Sequence, residues 1–322
     1  MPQDHYVAQT YLRAFADPKN ADRIHAYRKS DSGHFSPSPA AVCKTMDWDQ
    51  NPKYLSPPDA LGRWLKIFEP HWAAAVTRLS ETHHLSPSDK YVIAGYWAYL
   101  STCTPTWQRV ATGIQQSELD DTYLDRFIEY AQAHPDEYPE AAAYISLVKD
   151  GSLRAEIDKH YPKAVVTTQL LEHQWCLYHQ EWNIVWNNTD ELFLTSDNPS
   201  CFDYEYGSPM RPARYLPLAP RLALWTNVVF DNLPKMAPGT PPVKTSLRCE
   251  ATTKFVRDMN RLVIQSAENI VLASEPKPYI PVCVGKYKDW RVRTTEVMRI
   301  PAADGHYEVT QTRATPKSAA VA

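Results

Sequence analysis

The run Thr195-Ser196-Asp197-Asn198-Pro199 combines residue types that do chemistry with a position that could expose them to a ligand. It follows Leu192-Phe193-Leu194, which reads as a buried strand. Side chains at a strand end project into the crevice beside a sheet, where loops build sites. Asp197 could serve there as general base, metal ligand or the partner orienting His5, with Ser196 and Asn198 as hydrogen-bonding neighbours. A purely structural turn is the competing reading, since Asp and Asn favour turns before proline. His5, Gln9 and Arg13 recur at four-residue steps, a spacing that places them on one face of a helix. Such a stripe could hold an anionic group or, through imidazole, a metal; a solvated face is the plain alternative. Glu69 falls with Leu65, Trp72 and Val76 on the apolar side of a helical pattern. A carboxylate there needs a cation, a metal or a raised pKa, and an ion pair with Arg13 or Arg109 would suffice. Gln108 and Arg109 follow Thr104-Pro105, where a helix kinks or ends, and Arg109 could clamp a carboxylate or phosphate with two bonds. Asn260, mid-helix between apolar positions, suits a buried hydrogen-bonding role.

Taken together, His5, Glu69 and Asp197 form a candidate catalytic set. Gln9, Arg13, Gln108, Arg109, Ser196, Asn198 and Asn260 are the candidate substrate-binding groups. A His/Glu/Asp mixture suits a hard or borderline divalent metal that activates water, so the first expectation is a metal-assisted, nuclease-like hydrolase of phosphodiesters. The metal ligands themselves are not assigned. The second expectation is an acyl transferase without metal, with His5 as base, Asn198 and Arg109 as oxyanion donors, and a charged tRNA as one conceivable donor. The third is a non-catalytic binding module in which the same residues only lock the fold. Nucleic acid or tRNA is the partner that the first two readings imply; the oligomeric state is open.

Other chemistries are excluded by what is missing. Only nine glycines occur in 322 residues, and no two stand within six residues of each other. The phosphate loop, the dinucleotide fingerprint and the nucleophile elbow all need clustered glycines, so no nucleotide cofactor is expected. No H-E-x-x-H is present. His83-His84 lies in a loop before a helix start and reads as exposed, with metal binding the minor alternative.

The elements that must position these groups change character along the chain. An amphipathic helix is expected over 5–16, then a short hairpin of Ile24–Arg28 with His34-Phe35. Leu61, Trp64, Leu65, Phe68, Trp72, Val76 and Leu79 mark a long amphipathic helix. Ser86-Pro87-Ser88-Asp89 starts the next one, apolar all round from Tyr91 to Leu100 and therefore central. Further helices are expected near 118–133, 139–148 and 162–179. The pattern then turns to strands. Residues 182–186 and 192–194 read as a pair around Asn187-Asn188-Thr189-Asp190, followed by 200–202, 214–216 and 222–229. A helix over 247–266 and a strand over 270–273 complete the folded part. The fold class is α+β, an N-terminal mainly helical half packed on a C-terminal, mostly antiparallel mixed sheet. The domain reading is one domain over 1–309 and a flexible tail over 310–322.

Composition fits this reading. Hydrophobic residues make up 43% and charged residues 22%, ordinary globular usage. The net charge of −3 gives no global attraction to nucleic acid or an anionic membrane, so any such affinity needs a local basic patch. Six scattered cysteines without C-x-x-C read as reduced thiols. With no leader-like start and no membrane-length apolar run, the expected location is cytoplasmic, away from membranes.

Four separated motifs carry a resemblance. His5-Tyr6-Val7, Gln9, Tyr11-Leu12-Arg13 and Phe15 resemble the opening signature of the domain of unknown function 4238 family. Thr195-Ser196-Asp197-Asn198-Pro199 and Leu216-Pro217-Leu218-Ala219-Pro220-Arg221 follow in the family's order, with Thr104-Pro105 and Arg109, and with Asn260, as further features. The resemblance spans roughly residues 3–275. Ala8 stands where the family usually has proline. What the resemblance implies is one domain; it implies no reaction.

Overall fold

The computed structural model describes residues 3–120, 124–208, 211–227, 246–302 and 305–317. The chain opens with β1 (Gln3–His5) and the one-turn α1 (Gln9–Leu12), then β2 (His25–Arg28), β3 (His34–Phe35) and β4 (Lys44–Met46). The helical part comprises α2 (Ala60–Thr82), α3 (Pro87–Thr102), α4 (Pro105–Glu118), α5 (Leu124–Ala133), α6 (Ala141–Lys149), α7 (Tyr161–Thr168) and α8 (Leu170–His179). Strands β5 (Asn183–Trp186), β6 (Thr195–Ser196), β7 (Cys201–Ser208), β8 (Arg211–Ala219), β9 (Leu222–Asn227) and β10 (Leu247–Glu250) follow. Last come α9 (Thr253–Ser266), β11 (Ile270–Ala273), α10 (Tyr279–Lys286) and the long hairpin β12 (Trp290–Ala302) and β13 (Gly305–Pro316). The fold is α+β, with helices concentrated in the N-terminal half and sheets mostly antiparallel.

Two sheets organise the second half. One has the order β10-β5-β9-β8-β7, antiparallel except for the parallel pair β10 and β5. The other, β3-β2-β11-β6, brings the N-terminal hairpin beside the strand that opens the Ser-Asp-Asn-Pro run. Helix α3 is central: from Ile93 to Thr102 every residue is buried. Ser86 caps it by accepting from the Asp89 N–H at 3.1 Å, and Pro87 occupies the first turn, where a missing N–H leaves nothing unpaired. Helix α2 packs on it through Leu61, Phe68, Trp72, Ala75, Val76 and Leu79, the apolar stripe of its three- and four-residue spacing. The contact is close at Gly95, where an added Cβ would lie 2.4 Å from the Phe68 ring. Gly95→Ala is therefore expected to destabilise the protein by about 1–3 kcal/mol by overpacking, read as a lowered urea midpoint with an unchanged slope.

Several local expectations are corrected by long-range partners. The helix expected over 5–16 begins only at Gln9, because β1 pairs with β4 and the Tyr6 N–H donates to Cys43. Residues 182–186 and 192–194 do not pair with each other. Strand β5 lies between β9 and β10 instead, and Asn187 folds the turn onto itself by donating to the Glu191 carbonyl at 2.6 Å. The helix expected over 247–266 is a strand and then a helix, since Thr252 caps α9 by accepting from the Phe255 N–H. The helix expected over 162–179 is two, divided at Gln169. Just before that break the Thr167 and Thr168 hydroxyls donate to carbonyls of their own helix. Pro105 ends α3 outright and opens α4, with Thr104 extended between them. The boundary expected at residue 310 falls inside β13, whose residues 310–316 pair with β12. Among the described residues, no helix is long and apolar enough to cross a membrane.

Candidate functional site

Asp197 sits where β6 leaves the four-stranded sheet, 1% exposed. Its Oδ1 accepts from the Glu268 N–H at 2.9 Å, and its Oδ2 from the N–H groups of Asn269 at 2.7 Å and Ile270 at 3.3 Å. The carboxylate thus grips the link between α9 and β11. Burial lifts it to about 6, against the pull of those backbone donors. Its neighbours are equally engaged. The Ser196 hydroxyl accepts from the Asn198 N–H; Asn198 Oδ1 accepts from the Thr104 hydroxyl at 3.1 Å, and its Nδ2 donates to the Ser266 carbonyl at 3.0 Å. Ser200 meets the Trp97 indole and the Ser101 hydroxyl.

The extended Thr104 and the first turn of α4 reach the same link from the other side. Arg109 donates to both oxygens of Glu268, at 3.0 and 2.8 Å, and to the Val292 carbonyl at 3.0 Å. The Thr106 hydroxyl donates to Glu268 at 3.2 Å, and Arg291 stands 3.6 Å from it. Burial works to raise the Glu268 carboxyl, but Arg109 and Arg291 outweigh it and hold it below its ordinary value. Lys29 is buried at the end of β2, where Nζ donates to the carbonyls of Ala267 at 2.9 Å, Trp290 at 2.5 Å and Gln265 at 3.3 Å. Burial lowers it to about 8. Two of its acceptors, Gln265 and Ala267, lie at the C-terminal end of α9, where a cation is favoured.

The N-terminal motif does reach this centre, but not through the side chains expected. The Tyr11 hydroxyl donates to the Pro217 carbonyl at 2.7 Å and shares a bond of the same length with Thr195 Oγ1, tying three motifs together. The Tyr6 hydroxyl is bonded to Cys43 and feels the charges of Asp197 and Glu268; burial and those charges raise it above its ordinary value. His5, Gln9 and Arg13 do not form one helix face, because His5 belongs to β1. His5 Nε2 lies 3.2 Å from the Ala40 carbonyl, and burial lowers its pKa. The Arg13 guanidinium donates to Gln9 at 3.5 Å on the exposed side. Glu69 is half-buried with the Thr10 hydroxyl at 3.4 Å, and neither Arg13 nor Arg109 pairs with it. Gln108 is half-buried beside Arg109. Asn260 accepts from the Leu194 N–H and donates to the Leu192 carbonyl, both at 2.8 Å. It supplies the hydrogen bonds a neighbouring strand would have given those residues, which is why they need no strand partner.

The partner that residue-by-residue reading missed is Glu268. Its signal was an acid in a two-residue polar link, Glu268-Asn269, between the end of a helix and a buried strand. The link borders a polar pocket of about 320 Å³, into which Arg28, Lys29, Lys288 and Arg291 converge with Glu268 and Asp289. Asp197 lies behind that wall and fixes it through the backbone. Among the described residues, no three His, Cys, Asp or Glu side chains are grouped so as to hold a metal ion. No curated protein and no solved structure matches the chain. A family profile does match, over residues 3–277, and it takes in both halves of the Asp197–Glu268 linkage while leaving Lys288, Asp289 and Arg291 beyond it. The chain belongs to DUF4238, a family of proteins of unknown function.

Proposed function

We propose that this chain is a binding protein for a phosphate-class anion, held in the pocket beside the Glu268-Asn269 link. The observation that supports this is the local charge. Four cations meet two carboxylates there, and one carboxylate, Glu268, is already matched from behind by Arg109. Lys288 and Arg291 are exposed and can turn toward a ligand, whereas Lys29 is fixed on its three carbonyls and Arg28 is paired with Asp31. The volume suits a phosphate with a small organic group attached.

Binding is favoured over phosphodiester hydrolysis and over acyl transfer by the state of the expected catalytic groups. A general base needs a free lone pair toward the substrate. Asp197 is 1% exposed with both oxygens accepting from backbone N–H groups, and no hydrogen bond joins His5 or Glu69 to it. Asn198 is fully buried, its amide oxygen accepting from Thr104 and one Nδ2–H donated to Ser266, which argues against it as an oxyanion donor. Calorimetric titration with inorganic phosphate and pyrophosphate tests the reading. Lys288→Gln combined with Arg291→Gln is expected to weaken binding at least about tenfold, the scale of losing two charge-assisted contacts. Lys288 is exposed, and Arg291 loses only a half-exposed 3.6 Å ion pair with Glu268 that Arg109 still matches, so thermal unfolding should shift little. No binding by the native chain, or equal binding by the variant, would remove the proposal.

A further inference from the structure

The pocket's cationic wall does not stop at Arg291. Arg293 lies two residues further along β12 and so on the same face of the strand. Directly opposite it on β13 is Arg313. Like charges facing each other across an antiparallel pair are destabilising, and an anion between them would relieve the repulsion. Among the described residues neither arginine is paired with a carboxylate, and Arg293 Nε is buried without an acceptor. Lys288, Arg291, Arg293 and Arg313 thus form a continuous basic row from the pocket onto the hairpin. We propose that this row binds the phosphate backbone of a nucleic-acid duplex, with the pocket, read as above as an anion site, taking one of the phosphates.

Charge and shape both favour that partner. Residues 286–317 carry seven basic and four acidic residues, although the whole chain has a net charge of −3. The balancing acids collect elsewhere, for example six against two bases over residues 124–150. A polyanion would therefore meet a locally positive surface on a chain that repels it globally. The arginine-bearing end of this antiparallel ribbon packs on α4 through Val292, which leaves the face of Arg291 and Arg293 outward, able to lie along a phosphate backbone. Contacts through arginine to phosphate carry affinity with little sequence preference. The ribbon lies wholly beyond the residues that the family profile matches, so this activity would be an addition to the family's common fold.

Fluorescence anisotropy with a short random-sequence DNA duplex over a salt series tests the inference. Four phosphate contacts predict a slope of log affinity on log salt of about −3.6. Arg293→Gln with Arg313→Gln is expected to make that slope shallower by about 2, while calorimetric binding of inorganic phosphate stays unchanged. Replacing both by lysine should restore the slope, which separates lost charge from a damaged fold. Unchanged duplex affinity in the glutamine variant, with phosphate still bound, would overturn the ribbon and leave the pocket reading standing. Failure of the native chain to bind phosphate would overturn the pocket reading itself. Tighter binding to phosphatidylserine vesicles or to a phosphorylated peptide than to the duplex would also overturn the assignment.

Discussion

Asp197→Ala is expected to cost about 4 kcal/mol of folding stability. Three backbone N–H groups lose their acceptor at once in a site closed to water, and each unsatisfied buried donor costs about 1–3 kcal/mol. Partial relaxation brings the sum toward the upper end of what single substitutions do. Urea unfolding measures the loss, and hydrogen exchange at the Glu268, Asn269 and Ile270 amides locates it. A variant of native stability and protection would show that Asp197 is not the clamp. Asp197→Asn keeps one acceptor oxygen and should lose less.

The same pair of proteins carries a pH dependence with a definite sign. In the fold Asp197 titrates at about 6, above its ordinary 3.8. The folded state therefore takes up a proton between pH 6 and 4 that the unfolded chain does not. Stability from this group is fully present below its unfolded pKa and is lost as pH rises through 6. Relative to Asp197→Asn, the native chain should gain roughly 3 kcal/mol as pH falls across that window, at about 1.4 kcal/mol per pKa unit. A constant or shrinking difference would mean that the carboxylate is ionised throughout.

Lys29→Met is the second large effect, expected at about 3–5 kcal/mol. Methionine keeps the length of the stem but leaves the carbonyls of Gln265, Ala267 and Trp290 without their donor. Those carbonyls end α9, begin the turn to β11 and open β12, so one ammonium holds three elements together. Urea unfolding again gives the magnitude. A loss below about 1 kcal/mol would instead mark Lys29 as a pocket cation free to serve the ligand. The contrast with Lys288 and Arg291 is then informative: one cation supports the wall, the others line the pocket.

Elements whose cause is local were legible beforehand. The stripe of α2, the all-apolar α3 with its Ser86-Pro87 start, and the hairpin β2–β3 lie close to where periodicity and capping put them. Each is decided within a few residues, by side chains three or four apart or by a cap on its own first turn. Elements decided by distant partners were misread. Leu247–Glu250 looked like the start of a helix and is an edge strand, because β5 lay ready to pair with it. Leu192–Leu194 looked like a strand, and Asn260 took its backbone instead.

The Ser-Asp-Asn-Pro run shows the same division. The sequence by itself identified it, and the opening motif, as places where polar residues adjoin buried elements. It also showed that no two glycines stand close together, so none of the glycine-loop motifs occurs in it. Which atoms meet was left to the tertiary structure. Asp197 and Glu268 are 71 residues apart, Arg109 and Glu268 159, and Tyr11 and Thr195 184. Over such distances spacing carries no information about contact, and only the sheet order β3-β2-β11-β6 sets the partners. That order gives the Asp197 carboxylate three backbone donors in the Glu268-Asn269-Ile270 link and places Lys288 and Arg291 on the far side of that link.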